Sequence, residues 1–176
     1  DLFSMPDELP HEIFGDLTTS DLPILLLRTC GGALGRIKSM ALNKDVDVYC
    51  RISALHAMTF AVVEGFASRE EVISFFGTLF SGNEADDDSD FWGLLASFVC
   101  DLYPEELMSI IEKAFDDDRI APEIIGLGEF NTALENGKEW CLERLKKDLE
   151  RQSLDDIHDS MSWWACFNEE PQFYSA

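Results

Sequence analysis

Two acidic triplets, three histidines and five cysteines are the side chains of this sequence with the clearest capacity for chemistry. Asp86-Asp87-Asp88 and Asp116-Asp117-Asp118 invite a metal reading, because hard divalent cations are held by converging carboxylate oxygens. A calcium loop, however, needs ligands at fixed offsets and a glycine at its sharp turn. Asp86, Asp88 and Asp90 alternate, but Phe91 takes the glycine position and no bidentate glutamate follows. Asp116 to Asp118 do not alternate at all. Both triplets read better as solvated loop segments, and no metal or cofactor is expected. His11 and His158 lie among acidic residues and are expected at the surface. His56 falls in line with Tyr49, Ile52 and Phe60 in an apolar run, so it reads as a satisfied core histidine rather than a general base.

The remaining polar candidates also favour structure over chemistry. Arg51 lies one turn after Asp47 in a stretch with few other charges. A buried arginine needs a carboxylate, Asp47 is a candidate for it, and pinning the fold is the favoured role over binding. Gly31-Gly32-Ala33-Leu34-Gly35 has no strand before it, so it reads as a helix stop and turn, not a phosphate cradle. Cys30, Cys50, Cys100, Cys141 and Cys166 are odd in number, widely spaced and free of Cys-x-x-Cys pairs. They form neither a disulfide framework nor a zinc ribbon. Reduced thiols of this kind point to a cytoplasmic location. Trp163-Trp164-Ala165-Cys166-Phe167 is a dense aromatic cluster. Its structural reading is a cap on the open end of a helical stack. Its functional reading is a docking site for a partner or a second copy of the chain.

The elements that must position these residues are helical. The stretch from Asp45 to Phe80 predicts a helix apolar on nearly every side, a link at Gly65-Phe66-Ala67, and an amphipathic helix behind the cap Ser68-Arg69-Glu70-Glu71. So short a link makes antiparallel neighbours. Before this hairpin, helices are expected over Asp7–Phe14, Thr18–Cys30 and Ala33–Leu42. After it come an acidic loop over Ser81–Ser89 and a third apolar helix over Asp90–Leu102. Pro104 then opens a helix that the second triplet ends. Pro122–Ile125 makes at most one turn. A long helix over Phe130–Arg151, broken near Gly137, and a last one from Leu154 to about Cys166 complete the pattern. No segment alternates as a strand would. Long buried helices start near Asp45, Asp90 and Gly128, a period of roughly forty residues that suits HEAT or armadillo units.

Composition narrows the partners. The chain of 176 residues carries 35 acidic against 13 basic side chains, a net charge of −22. That excess argues against nucleic acid and against an anionic membrane surface. It serves solubility, and it also suits an acidic face that meets a basic partner. No secretory signal or membrane-length apolar run is visible. The chain begins at Asp1 rather than methionine, and the expectation is a fragment or upstream residues that were lost or not observed.

Several of these segments together resemble the bacterial domain-of-unknown-function family DUF1186. The resemblance rests on Val48-Tyr49-Cys50-Arg51 with Ala54-Leu55, on Glu64-Gly65 followed by Ser68-Arg69-Glu70-Glu71-Val72, and on Asp101-Leu102-Tyr103-Pro104-Glu105-Glu106-Leu107. Gly137-Lys138-Glu139 and the aromatic cluster Trp163 to Phe167 complete it, over about Phe14 to Phe167. The resemblance implies an all-helical, HEAT-like superhelix and brings no catalytic residues. It also implies helical sequence upstream in many members and a zinc-binding C-terminal motif in some, which this chain lacks.

The expectation is therefore an all-α superhelix of stacked antiparallel helix pairs. One domain spans residues 1–167, with a loosely ordered tail over 168–176. The function expected is a non-catalytic scaffold for a protein partner, with Asp86 to Asp88, Asp116 to Asp118, Trp163 and Trp164 on its surface. Two alternatives are an enzyme with a cleft near His56 and Arg51, and a structural protein that self-associates.

Overall fold

A computed structural model describes residue 15 and residues 17–86 and 89–152. The predicted helices over Asp7–Phe14 and beyond Leu154 lie outside the described residues. So do His11, His158, Asp87, Asp88, Trp163, Trp164 and Cys166.

The described residues form helices and turns, with no strand among them. In chain order they are α1 (Leu17–Ser20), α2 (Leu22–Thr29), α3 (Leu34–Leu42), α4 (Val48–Val63), α5 (Arg69–Phe80) and α6 (Asp90–Asp101). A short 3-10 turn over Glu105–Leu107 then leads into α7 (Met108–Asp116), α8 (Leu127–Asn136) and α9 (Lys138–Arg151). The predicted helix over Thr18–Cys30 is two pieces. Pro23 has no amide hydrogen to donate and suits only a first turn, which it takes at the start of α2. The predicted break near Gly137 is real: Gly137 adopts φ +88, closing α8 and opening α9.

Helix α4 is the axle of the fold. Cys50 to Leu55 and Ala57 to Ala61 are all buried, so it is covered nearly all round. It touches α1, α2, α3, α5, α6 and also α9, far along the chain. Its start is fixed by Asp47, whose carboxylate accepts the amides of Tyr49 and Cys50 at 3.0 Å each. Its end is a Schellman motif. Gly65 sits at φ +76, the Phe66 amide donates to the Ala61 carbonyl at 2.8 Å, and the Gly65 amide donates to Val62 at 3.1 Å.

Helix α5 then starts on the predicted capping box, with the Glu71 amide on Ser68 Oγ and the Ser68 amide on the Glu71 carboxylate, both at 3.2 Å. Val72, Phe75, Phe76 and Leu79 are its buried stripe, as the spacing predicts. One continuous core runs from Leu22 to Leu149, and Trp92, Phe60, Phe76, Phe91 and Phe130 are among its largest enclosed side chains. Helix α6 comes so near the chain at Ile124 that a Cβ on Gly93 would stand 2.9 Å from Ile124 Cδ1.

Candidate functional site

Two buried arginines organise the polar interior. The Arg51 side chain is only 4% exposed. Its Nε donates to the Ala41 carbonyl at 2.9 Å, and its Nη1 to the Glu84 carbonyl at 2.7 Å. Its Nη2 donates to the Glu84 carboxylate at 3.1 Å, and the guanidinium lies over the Phe91 ring. The counter-ion expected at Asp47 is therefore Glu84. Asp47 is spent on the α4 amides one turn earlier, and Glu84 reaches Arg51 only because the loop after α5 folds across α3 and α4.

Arg69 does the equivalent work on the opposite side of the hairpin, and sequence reasoning missed it. Tyr103 holds φ +72, a left-handed cap at the end of α6. Its amide donates to the Cys100 carbonyl at 3.2 Å, the first of the two bonds that close a Schellman motif. The second bond would come from the next amide, and Pro104 has none. The acceptor that bond would have served is the Val99 carbonyl; Arg69 instead ties down the two carbonyls just past the helix end. Its Nε donates to the Leu102 carbonyl and its Nη2 to the Tyr103 carbonyl. The remaining fork grips Glu106, with Nη1 to Oε1 at 2.7 Å and Nη2 to Oε2 at 2.6 Å. Arg69 thereby holds the Glu106 carboxyl below its ordinary range. A cation in the first turn of α5 opposes the helix dipole. That placement was the signal in the sequence that Arg69 has a partner elsewhere.

The described residues of the acidic triplets are fixed by their backbones. Asp86 is exposed, but its carbonyl accepts the Trp92 indole N–H at 2.9 Å. The Asn83 carbonyl accepts Lys44 Nζ. Asp116, Asp117 and Asp118 are exposed at the end of α7. Asp118 is the left-handed residue of a second Schellman motif, with φ 56, its amide on Phe115 at 3.0 Å and the Arg119 amide on Ala114 at 2.9 Å. Among the described residues no three His, Cys, Asp or Glu side chains converge as metal ligands would.

His56 departs from its expectation. It is half-buried at the edge of the core, not enclosed within it. Its ring stacks on Phe98 at 4.8 Å between centroids and tilts against Phe60 at 4.2 Å. No hydrogen bond joins it to another described side chain, and it borders a cleft of about 380 Å³ with Ser97, Asp101, Asp148 and Gln152. Burial pulls its pKa down to about 4, so the imidazole is neutral at pH 7 and a weak base. Arg51 does not line this cleft, so the structure does not assemble the cleft near His56 and Arg51. The two residues leave α4 on different sides. Asp101 is bonded to Arg144 and Asp148 to Arg151. Burial pushes the Cys50 and Cys100 thiols up to about 12, far from thiolate chemistry at pH 7.

A second concavity, of about 640 Å³, is a trough between α3 and α5. Leu34 forms one wall, and Met58, Val72 and Phe75 the floor. Glu70, Glu71 and Ser74 line the α5 side, all three exposed. Lys38 of α3 stands over the Phe75 ring at 4.3 Å.

The family model described as "Protein of unknown function (DUF1186)" matches residues 1–168. The chain belongs to this family. The structure gives physical meaning to the segments on which the sequence resemblance rests. Ser68 to Val72 and Asp101 to Leu107 are joined by Arg69, and Arg51 ties Val48–Arg51 to the loop at Glu84. Similar proteins include an "Uncharacterized protein" of Chlamydia trachomatis serovar D, 29% identical over 164 residues, 93% of this chain and 64% of that relative. An "Uncharacterized protein" of Chlamydia muridarum is also 29% identical over 164 residues, 93% of this chain and 65% of that relative. The chain thus spans under two thirds of the length of these relatives. No solved structure matches the chain.

Proposed function

We propose that this DUF1186 domain is a non-catalytic protein-interaction scaffold whose acidic surface receives a basic partner, its helix pairs stacked in the HEAT manner. The observation that supports this reading is the small number of cations left to offset the acidic surface: four of the thirteen are drawn into the fold, and nine stay exposed. Arg51, Arg69 and Arg144 are turned onto Glu84, Glu106 and Asp101 of the domain itself. Arg119 lies over Trp92 at 3.7 Å. With 13 basic residues against 35 acidic ones, the exposed cations are too few to balance exposed carboxylates such as Asp86, Asp116 and Asp118. A surface so biased attracts cationic partners and repels nucleic acid and anionic membranes. The cytoplasm, with its reducing conditions, suits the free thiols of Cys50, Cys100 and Cys141.

The test is an affinity capture with the full chain at about 50 mM salt and again at about 500 mM, where screening shortens to a few ångströms. A specific protein retained at low salt and released at high salt is the expected outcome. Capture of nothing, or of partners indifferent to salt, would overturn the reading.

A further inference from the structure

We infer that the trough between α3 and α5 is a docking groove for one amphipathic helix of a partner protein. Its apolar stripe is flanked by lysine or arginine on the side that meets α5. This inference rests on the scaffold reading and specifies where and what it binds. Three observations select this occupant.

The first is shape. From Glu70 to Thr78 the α5 wall runs nine residues, eight steps of 1.5 Å or ~12 Å, about two turns of a facing helix. Two turns present anchors at i, i+3 or i+4, and i+7, the register used by helices that bind in grooves.

The second is chemistry. Met58, Val72 and Phe75 make an apolar floor, and methionine adapts its shape to incoming side chains.

The third is charge complementarity. Glu70 and Glu71 edge the α5 wall, and Glu70 is 69% exposed. Its contact with Arg69, at 3.8 Å, is loose, because Arg69 is already gripped by Glu106. Glu71 keeps its capping bond to Ser68 and still contributes its charge. The opposite wall carries Lys38. The two walls thus differ in sign, and the groove sets orientation as well as affinity: cations of the partner face α5, and neutral or acidic residues face α3.

The probe is a designed helical peptide with leucines at i, i+3, i+4 and i+7 and lysines along one flank. It is titrated into the full chain with amide chemical shifts and fluorescence anisotropy as readouts. Shifts should concentrate on Leu34, Met58, Val72 and Phe75. Ser74→Arg, at an exposed position, should weaken binding at least tenfold. Glu70→Lys should weaken it several-fold, and Lys38→Glu should strengthen it several-fold. Glu135→Lys on α8 makes the same change in net charge as Glu70→Lys and should leave affinity unchanged.

Shifts centred elsewhere, equal binding of a peptide with glutamates in place of its lysines, or equal losses from Glu70→Lys and Glu135→Lys would each overturn the groove. Shifts on simple dilution without peptide would make a second copy the occupant. Binding that appears only after deletion of residues 153–176 would make the chain's own C-terminal segment the occupant. Either result also overturns it. A salt-sensitive partner captured equally well by Ser74→Arg would sink the groove and leave the scaffold standing, whereas capture of nothing by the unaltered chain would sink the scaffold.

Discussion

At the residue scale, Arg69 and Arg51 show how a lone cation in an acidic chain becomes a fastening. Each donates to main-chain carbonyls and to a carboxylate at once, through a rigid fork that spreads its donors over three nitrogens where a lysine ammonium gathers them on one. Arg69→Lys should therefore destabilise the domain by about 2 kcal/mol, because the Leu102 and Tyr103 carbonyls lose their side-chain donors and Glu106 loses its paired fork. Urea unfolding would read this directly, and a change under ~0.5 kcal/mol would mean the clamp is dispensable. His56 makes a second prediction. Its pKa falls to about 4 in the fold, against about 6.5 in an unfolded chain. Between those values the unfolded state binds more protons, so stability drops as pH falls. The loss should be on the order of 2 kcal/mol by pH 5. Asp101 works in the opposite sense, since burial raises its carboxyl pKa and protonation there favours the fold. His56→Phe keeps the stack on Phe98 and removes the first effect. Thermal melts at pH 7 and pH 5 should then lie closer together than for the parent.

At the element scale, three of the helix ends that close on a left-handed residue solve it differently. Gly65 does so at no steric cost, Tyr103 needs Arg69, and Asp118 carries a side chain into a region that favours glycine. Asp118→Gly should consequently stabilise the domain by about 0.5–1 kcal/mol, net of the added freedom of the unfolded chain. A raised Tm in a differential scanning experiment would show it, and a lowered Tm would mean that the Asp118 side chain contributes something beyond the cap. The second acidic triplet is in this light partly a helix terminus, which is why its spacing fits no cation loop. Helix α4 makes the complementary point. Its nearly uniform apolarity announced burial on all sides, and six helices supply the cover.

At the scale of the whole molecule, charge is the dominant fact. A net −22 on 176 residues sets carboxylates against one another across the surface. Pairs such as Lys113 with Asp117, both largely exposed, offset little of it. Raising sodium chloride from about 10 mM to about 200 mM should raise the Tm, since screening relieves repulsion more than it weakens such pairs. A Tm that falls over the same range would show that attractive pairs outweigh the excess charge. The same imbalance makes a cationic helix the complement of the trough beside Glu70 and Glu71.

Much of the fold was legible because helices are local. The capping box at Ser68, the apolar faces of α4 and α5, the glycine stop at Gly65 and the break at Gly137 all depend on residues a few positions apart, so spacing alone determined them. Partnerships across dozens of residues were not legible. Arg51 was matched with Asp47, its neighbour one turn away, whereas the folded chain brings it Glu84, 33 residues on. Arg69 and its grip on Leu102, Tyr103 and Glu106 went unseen for the same reason. His56 looked like core because its helix is core, and only the packing of α6 and α9 left one edge of it open. Sequence determined which segments are helices and which faces are apolar, since those follow from short-range hydrogen bonding and periodicity. Tertiary structure decided which charges meet and where a trough remains, since both depend on how separate helices come to rest against each other.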